Sequence, residues 1–485
     1  MLRSLSRPTW GSNLVRTLLP SFVADVLWPD HKPTYKIHPT SYLDGLRGIA
    51  SVIVFFCHYT EDNFNALVPS YGIDPEKPSG WIQLPYIRII FSGRPMVHIF
   101  FVISGFVLSY KPIKSIHAHQ LDKCYTTLAS STFRRAFRLF GPCIASTFMI
   151  MCMNQTGILW YPMASWSEQL WNWKNVVFHQ ITWPWEWDKD LLPGYDIHLW
   201  TIPIEFAHSM LLFMVILMFS RSKLRIRQAS TFGLMIYCLT CGKWAGFEFL
   251  AGMFLAEIHI LQAAAQSKAW ESSDSAPHIS SRLKLLKLLL HLSLIAIGLF
   301  IGGWPNHDAD KTPGIRWFFA QTPMPWAKMD VLAPQKFWFG LSAAFIVWSV
   351  GEVDFIKRFF EGPLAQYCGR ISYAIYICHG PMLGLYQRRV LGTEFIPAEG
   401  EPGTEGYKTA VAAAGIKGLI GVATTTQKTM GWFLGLCILG PIVVWAADVF
   451  WRHVDNPVVS IGKKIENACL DDFETPRSQG YSPAA

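Results

Sequence analysis

The chain has 485 residues, of which 51% are hydrophobic and only 16% charged, whereas a soluble domain usually carries about 25% charged residues. The long apolar runs therefore exclude an ordinary soluble protein and favour a single body within the lipid bilayer. The formal net charge of +8 is spread over short loops rather than collected in one basic arm, which argues against nucleic acid as a partner.

The apolar segments predict an all-α fold, a polytopic transmembrane helix bundle of about ten spans. Residues 1–40 form a basic, proline-containing segment, 41–460 one membrane domain, and 461–485 a polar tail. Each predicted span is near the ~20 residues that cross a hydrocarbon core of ~30 Å. The spans lie at 43–62, 95–111, 139–159, 197–220, 228–242, 244–263, 285–304, 337–351, 371–388 and 429–451.

Lysines and arginines predict the orientation of this bundle. When the N-terminus is placed in the cytosol, the basic clusters at 111–138, 221–227, 282–287 and 357–358 all fall on the cytosolic side, as the positive-inside rule requires. Both termini, including the polar tail, are therefore expected in the cytosol.

Two segments on the far side have a distinctive composition. Residues 391–428 are rich in Gly, Ala and Thr and are expected to form a flexible loop. Residues 160–187 are rich in tryptophan, which favours the boundary between lipid and water, and are expected to form an interfacial platform. Its tryptophans are Trp160, Trp166, Trp171, Trp173, Trp183, Trp185 and Trp187.

The ten cysteines do not predict a metal site or a disulfide. Most of them fall inside apolar segments, where cysteine usually behaves as a small buried hydrophobe. Cys238 and Cys241 form a C-x-x-C pair, but it lies in a hydrophobic run without a second pair. We therefore expect no metal cofactor.

Arg47 and His58 lie eleven residues apart in the first span, which places them on one helix face and ~16 Å apart along its axis. An arginine at the membrane entrance suits a phosphate, and a histidine deep in the bilayer is costly without a partner or a function. The pair fits a ligand such as coenzyme A, which carries phosphates at one end of an extended arm. Alternatively, Arg47 is only a topological anchor and His58 a satisfied core residue.

Arg135 and Arg138 are three residues apart just before the third span and share a helix face. Two guanidinium groups there are suited to clamp a second phosphate cluster, although basic residues at a cytosolic helix start also occur for topology alone. Glu205 follows about 10 Å into the fourth span. At that depth a carboxylate should be paired or protonated, so it either faces the cavity that holds His58 or is a neutral structural residue.

The ninth span carries a polar stripe. Tyr373, Tyr376 and His379 follow one another at intervals of three residues and so lie along one face. These side chains are candidates for binding the acceptor hydroxyl or the thioester carbonyl, and interhelical hydrogen bonding is the equally good alternative.

Five motifs give the chain a family resemblance. The run LDGLRGIASVIVFFCHYT, with its R-x10-H spacing, resembles the first helix of the acyltransferase family 3 integral-membrane O-acyltransferases. IFFVISGFVLSY, RRAFRLFGP, HLWTIPIEF and GRISYAIYICHGP are similar to later motifs of that family, in the same order and between about 41 and 460. The resemblance is to stand-alone fungal members.

This resemblance implies an acyl-CoA donor, most simply acetyl-CoA, with catalysis by His58 and coenzyme contacts by Arg47, Arg135 and Arg138. The implied acceptor is a hydroxyl of a small molecule such as a secondary metabolite, or of a glycolipid or sugar. His58 would act as general base, or it would carry the acyl group itself. If Glu205 lies near His58, we expect it to orient the imidazole. The expected location is an endomembrane such as the endoplasmic reticulum.

Two other functions fit some of the same residues. Intramembrane His and Glu also build the proton relays of transporters, but the sequence lacks the related halves expected of many transporter folds. A membrane protein that binds acyl-CoA without turnover is the second alternative.

Overall fold

The computed structural model describes residues 16–28, 37–73, 79–159, 162–183, 192–272, 280–386, 420–421 and 424–470. Within these ranges every regular element is a helix, which confirms the predicted all-α fold. The α-helices are α1 Ser21–Leu27, α2 Ser41–Asn63, α3 Gly93–His117, α4 Leu121–Gln155, α5 Trp166–Val176, α6 Thr201–Phe219, α7 Leu224–Thr240, α8 Trp244–Ser272, α9 Ser281–Gly302, α10 Ile315–Ala320, α11 Trp326–Met329, α12 Ala333–Glu352, α13 Asp354–Glu361, α14 Pro363–Tyr386, α15 Thr425–Phe450 and α16 Asn456–Cys469.

Six helical stretches of the described residues are long and apolar enough to cross a membrane, so the chain is a multi-pass membrane protein. A seventh is counted if α12 and α13, which meet at an angle of 94°, form one broken span. Each of the ten predicted segments overlaps a helix, but the number of ten spans and the cytosolic termini stay predictions. The six stretches are Gly93–His117, Leu121–Gln155, Ile197–Phe219, Trp244–Ser267, Ser281–Gly302 and Thr425–Cys469.

Helices α2 and α14 cross in close contact through their backbones. A Cβ atom added at Gly48 would lie 2.2 Å from the Gly369 nitrogen, and one added at Gly369 would lie 2.4 Å from the Asp44 carbonyl oxygen. Glycine at both positions therefore lets the two helices approach, as small residues do between membrane helices. The two helices run parallel, because the first half of α2 contacts the first half of α14 and the second halves meet at His58 and His379.

Both ends of the described chain dock on the bundle. The hydroxyl of Ser21, at the start of α1, donates to the buried carboxylate of Asp448 at 2.6 Å. Helix α16 packs on α4, where Glu466 pairs with Arg134 at 3.0 Å. The first part of the predicted polar tail is therefore a docked helix, because α16 packs on α4 through the buried Gly462; the tail beyond residue 470 lies outside the described residues.

The two predicted far-side segments are described only in part. Helix α5 lies in the tryptophan-rich segment, where Trp173 donates to the Thr147 hydroxyl at 3.1 Å and Trp171 remains 61% exposed. Trp160, Trp185 and Trp187 lie outside the described residues, as does most of the predicted loop at 391–428. That loop ends earlier than expected: Thr424 and Gln427 form a reciprocal capping box, which starts α15 at Thr425.

Candidate active site

Three histidines from distant parts of the chain converge beside α2 and α14. They are His58 in α2, His198 in a short 3₁₀ turn at Ile197–Trp200, and His379 in α14. The three rings form a triangle, with centroid distances from His198 of 4.2 Å to His58 and 4.5 Å to His379. One ring nitrogen of each histidine lies within 4.8 Å of the others. We call these three residues the imidazole cluster.

Asp196 fixes the position of His198. Its Oδ1 accepts two hydrogen bonds, from the backbone N–H of His198 at 3.0 Å and from ring Nδ1 at 2.7 Å. The carboxylate is 2% exposed, so the imidazole has a buried acceptor that favours a proton on Nδ1 and leaves Nε2 free. Gly380 makes room for this pair, because an added Cβ would lie 2.7 Å from Nδ1 of His198.

His379 is fully buried and its tautomer follows from its partner. Nδ1 lies 3.1 Å from the carbonyl oxygen of Ile375, and because a carbonyl can only accept, Nδ1 must carry the proton. The other nitrogen, Nε2, is buried and has no hydrogen-bond partner within the described residues. Such an orphaned atom points to a ligand or a reacting group.

His58 is the most accessible ring of the cluster. Its side chain is 30% exposed, and Nδ1 lies 3.9 Å from a carboxylate oxygen of Glu61. Glu61 is itself held by a short hydrogen bond from the amide of Asn306 and by Arg94 at 3.8 Å. An incoming molecule can therefore reach the cluster from the His58 side, as expected for a reacting centre.

Arg47 lies toward the opposite end of α2. Its Nε donates to Ser372 Oγ at 3.0 Å and its Nη2 to the Gly369 carbonyl at 3.2 Å. Asp44 is within 3.1 Å of the same guanidinium group. These bonds tie Arg47 to α14 at the glycine crossing and keep its side chain only 29% exposed.

Arg135 and Arg138 lie in the electrostatic neighbourhood of Arg47. Arg138 interacts with both other arginines, and Asp455 is close enough to Arg47 and Arg138 to offset part of their charge. Arg138 is exposed, whereas Arg135 is buried and donates to Ser209 at 2.9 Å. The three form an arginine cluster in which Arg138 has the freest side chain.

Glu205 belongs to the arginine cluster. Its Oε1 accepts from Arg135 Nη2 at 2.7 Å and from the Ser104 hydroxyl at 3.0 Å. Helix geometry places it ~10 Å beyond His198 along the chain. The expectation that Glu205 orients His58 has no contact to support it in the described residues, and the carboxylate beside the imidazoles is Asp196.

Both tyrosines of the polar stripe make interhelical hydrogen bonds. Tyr373 donates to the Leu139 carbonyl at 2.5 Å, and Tyr376 bonds to the Thr201 hydroxyl at 2.7 Å and makes a short bond to the His198 carbonyl. Tyr376 therefore helps to hold the turn that carries His198. A role of either hydroxyl in binding substrate stays a prediction.

The sequence analysis did not identify Asp196 and did not assign a role to His198. The signal was present as the D-x-H spacing at 196–198, where an aspartate before a helix caps the turn that follows. Helical periodicity cannot find this pair, because its geometry comes from a turn and its partners lie on α2 and α14.

The structure is a membrane helix bundle with an imidazole cluster toward one end of a helix pair and an arginine cluster toward the other, an arrangement that suits a membrane protein of the group-transfer class. Comparison with known families makes the class specific: the model described as "Acyltransferase domain" matches residues 40–452. The chain belongs to this family, acyltransferase family 3, and is a multi-pass membrane acyltransferase.

Curated relatives come from fungi. The chain is 30% identical to "O-acetyltransferase PaAT-1" of Phomopsis amygdali, over 97% of this chain and 92% of the relative. It is 26% identical to "Acyltransferase clz18" of Cochliobolus lunatus and to "Acyltransferase R4" of a Phoma species, in both cases over 72% of this chain and 84% of the relative. No solved structure matches.

Proposed function

We propose that this protein is an acyl-CoA-dependent O-acyltransferase that moves a short acyl group, most simply acetyl, onto a hydroxyl of a small molecule. The observation that carries the proposal is the arrangement of α2 and α14: the two parallel helices hold guanidinium groups toward one end and imidazoles toward the other. Arg47 and His58 lie ~16 Å apart along α2. This spacing suits a donor with phosphates at one end and a thioester at the tip of an extended arm.

In the proposed reaction, Arg47 and Arg138 bind phosphates of the donor. Charge-assisted hydrogen bonds from guanidinium groups to phosphate are the strong kind, and two like charges near each other favour an added anion. Arg135 is bonded to Glu205 and Ser209 with its side chain only 9% exposed, whereas the Arg47 side chain is 29% exposed. We therefore assign it to positioning the cluster rather than to the main phosphate contact.

At the other end, His58 acts as general base. Its free imidazole nitrogen takes the proton of the acceptor hydroxyl while that oxygen attacks the thioester carbonyl. The carbon–sulfur bond then breaks, and the imidazolium returns its proton to the departing thiolate. Because the His198 ring lies 4.2 Å from His58 and is bonded to the buried Asp196 carboxylate, this pair would stabilise the transient positive charge.

The acceptor class is part of the proposal and is supported only by the names and origins of the relatives. One relative is named an O-acetyltransferase, and all three come from fungi, which favours a hydroxyl-bearing secondary metabolite over a polymer. Glycolipids and sugars are the other acceptors consistent with the site. We place the enzyme in an endomembrane such as the endoplasmic reticulum, with the arginine cluster and both termini facing the cytosol, where acyl-CoA is found.

The parallel packing of α2 and α14 is consistent with the predicted alternation of spans, because the first and the ninth of ten alternating spans run in the same direction. The Lys/Arg bias then sets that direction as cytosol to far side. The arginines near the first halves of both helices then meet the cytosolic donor.

The deciding experiment is incubation of purified protein with acetyl-CoA and a metabolite extract of the host, followed by mass spectrometry. We expect products heavier by one acetyl group with wild-type protein and not with His58→Ala. A folded protein that binds coenzyme A but yields no acylated product with acetyl-CoA or longer acyl-CoA donors would contradict the proposal and favour a binding protein without turnover.

A further inference from the structure

We infer that the imidazole cluster is a binding site for a transition-metal ion such as Zn²⁺, and that a bound ion inhibits acyl transfer by occupying the nitrogen that His58 uses as a base. Metal binding rests only on the geometry of His58, His198 and His379. The inhibition rests in addition on the proposed function. This inference replaces the expectation of no metal, which was drawn from the cysteines alone.

The first argument is how the rings are held. A histidine that ligates a metal almost always donates its other ring N–H to a carboxylate, a carbonyl or water. Here Nδ1 of His198 bonds to Asp196 at 2.7 Å and Nδ1 of His379 bonds to the Ile375 carbonyl at 3.1 Å. In both rings Nε2 is left as the free, unprotonated nitrogen that a metal requires.

The second argument is the orphaned atom. His379 is fully buried, and its Nε2 has no hydrogen-bond partner within the described residues. A buried acceptor left without a partner destabilises the protein. A metal ion between the three rings would satisfy this nitrogen, and a single short move of the neighbouring rings would complete the site.

The required move is small. With Zn–N bonds of about 2.0–2.1 Å, the nitrogens of a tetrahedral site lie ~3.3 Å apart, whereas those of the cluster lie within 4.8 Å of one another. His198 and His379 are anchored by their Nδ1 atoms, so His58 would supply most of the movement. Its side chain is 30% exposed and its Nδ1 is 3.9 Å from Glu61, beyond hydrogen-bond distance.

The donor set selects the ion. Three neutral imidazoles suit Zn²⁺, Cu²⁺ or Ni²⁺, whereas Mg²⁺ and Ca²⁺ require oxygen ligands. Three protein ligands leave one tetrahedral position open, and the exposed side of His58 lets water fill it. The ion would take the lone pair of His58, and a His58 bonded to metal cannot accept the proton of the acceptor hydroxyl.

The direct test uses Co²⁺ as a spectroscopic stand-in for Zn²⁺. The purified full chain, freed of metal with a chelator, is titrated with Co²⁺ and the visible absorption of tetrahedral Co²⁺ is recorded; Zn²⁺ is then added as competitor. We expect one ion per chain, displaced by Zn²⁺. His198→Ala and His379→Ala should abolish the signal, and Asp196→Asn should weaken the affinity ~10–100-fold.

The matched control is His179→Ala, which removes an exposed imidazole outside the cluster. If the His198→Ala and His379→Ala proteins do not fold, His58→Ala replaces them in the titration, since His58 is the most exposed of the three ligands. Co²⁺ that stays octahedral, or binding that is unchanged in folded His58→Ala protein, would overturn the metal site.

The inhibitory part is tested by acyl-transfer assays on the same samples. We expect Zn²⁺ to suppress turnover, with full recovery when a chelator is added, and with no effect of Mg²⁺. If bound Zn²⁺ leaves turnover unchanged or raises it, the inferred inhibition is wrong, whereas the inferred metal site still stands. If no acceptor is turned over at all, the Co²⁺ titration still decides the metal site, so failure of the inference and failure of the proposed function are separable.

Discussion

The imidazole ring of His58 stacks on that of His379, with ring centroids 5.3 Å apart and 24° between the ring planes. Two uncharged rings tolerate this arrangement, whereas two charged rings would repel each other strongly at this distance. A charge on one ring therefore disfavours a charge on the other, so at least one ring stays neutral, which is the form that a general base needs before it meets an acceptor.

Replacement of His58 should abolish acyl transfer without abolishing donor binding. Loss of a general base commonly lowers the rate ~10²–10⁴-fold, so His58→Ala should fall in that range in a turnover assay. Coenzyme A affinity, measured by calorimetry, should be unchanged because Arg47 and Arg138 remain. His179→Ala is the control. Turnover above about a tenth of wild type in His58→Ala would fall outside the general-base range.

His58→Ala also separates the two chemical routes. Wild-type protein mixed with radiolabelled acetyl-CoA and no acceptor should carry no label after rapid denaturation if transfer is direct. Label that stays on wild-type protein and is absent from His58→Ala would instead show an acyl-histidine intermediate.

Asp196→Asn should lower turnover while leaving the fold intact. The amide keeps the shape of the carboxylate but removes the negative charge that faces His198 Nδ1. Removing one group that stabilises developing charge typically costs ~10²–10³-fold, and we expect a kcat loss of that order with little change in KM for the donor. If Asp196 had only a structural role, the variant would lose thermal stability and keep its kcat.

Arg138→Ala should weaken coenzyme A binding, since Arg138 is the exposed member of the arginine cluster. Loss of one charge-assisted hydrogen bond corresponds to a roughly 10- to 150-fold rise in Kd. Arg134→Ala is a matched control, because Arg134 is on the same helix but pairs with Glu466. Equal affinities of the Arg138→Ala and Arg134→Ala proteins would contradict the donor site.

Gly48→Ala should destabilise the bundle, because its Cβ would lie 2.2 Å from the backbone of Gly369. Overpacking of this kind costs ~1–3 kcal/mol, and we expect a lower Tm in detergent. Gly440→Ala, a glycine in α15 with open space around its Cβ position, should be neutral or stabilising because alanine favours helix. A Tm drop of equal size in both variants would contradict a tight crossing.

A cysteine at position 175, in α5, should be labelled only from the non-cytosolic side. The exposed Cys241, Cys437 and Cys469 are first changed to Ser, and a control chain retains Cys469, which should be labelled from the cytosol. Labelling of Asn175→Cys from the cytosol would contradict the predicted orientation.

Sequence reasoning predicted the helices well because membrane spans are long, apolar and periodic. It placed His58 and Arg47 on one face of α2 correctly, since helix geometry is regular over eleven residues. It also predicted that His379 lies on a polar stripe of α14. It could not predict that His379 meets His58, because that contact depends on the close crossing of two helices more than 300 residues apart in the chain.

Glu205 illustrates the limit of such reasoning. A carboxylate within a span must be paired or neutral, and the sequence left open whether Glu205 faces the cavity that holds His58 or is a neutral structural residue. Only the structure shows that Arg135 is within 2.7 Å. Asp196 was missed because an aspartate in the turn before a span is usually exposed to water. Only the structure shows that its carboxylate is buried beside His198.

The glycine crossing has a mechanical consequence. α2 and α14 are in backbone contact near Gly48 and meet again at the imidazoles, so a tilt of one helix at the crossing would be transmitted to the rings. A tilt of ~5° about the crossing would shift a ring ~15 Å away by ~1.3 Å, comparable to the closure that a metal ion demands. A molecule that tilts either helix at the arginine end would change the spacing of the imidazoles, and by thermodynamic reciprocity an ion bound at the imidazoles would then alter the affinity of the arginine end.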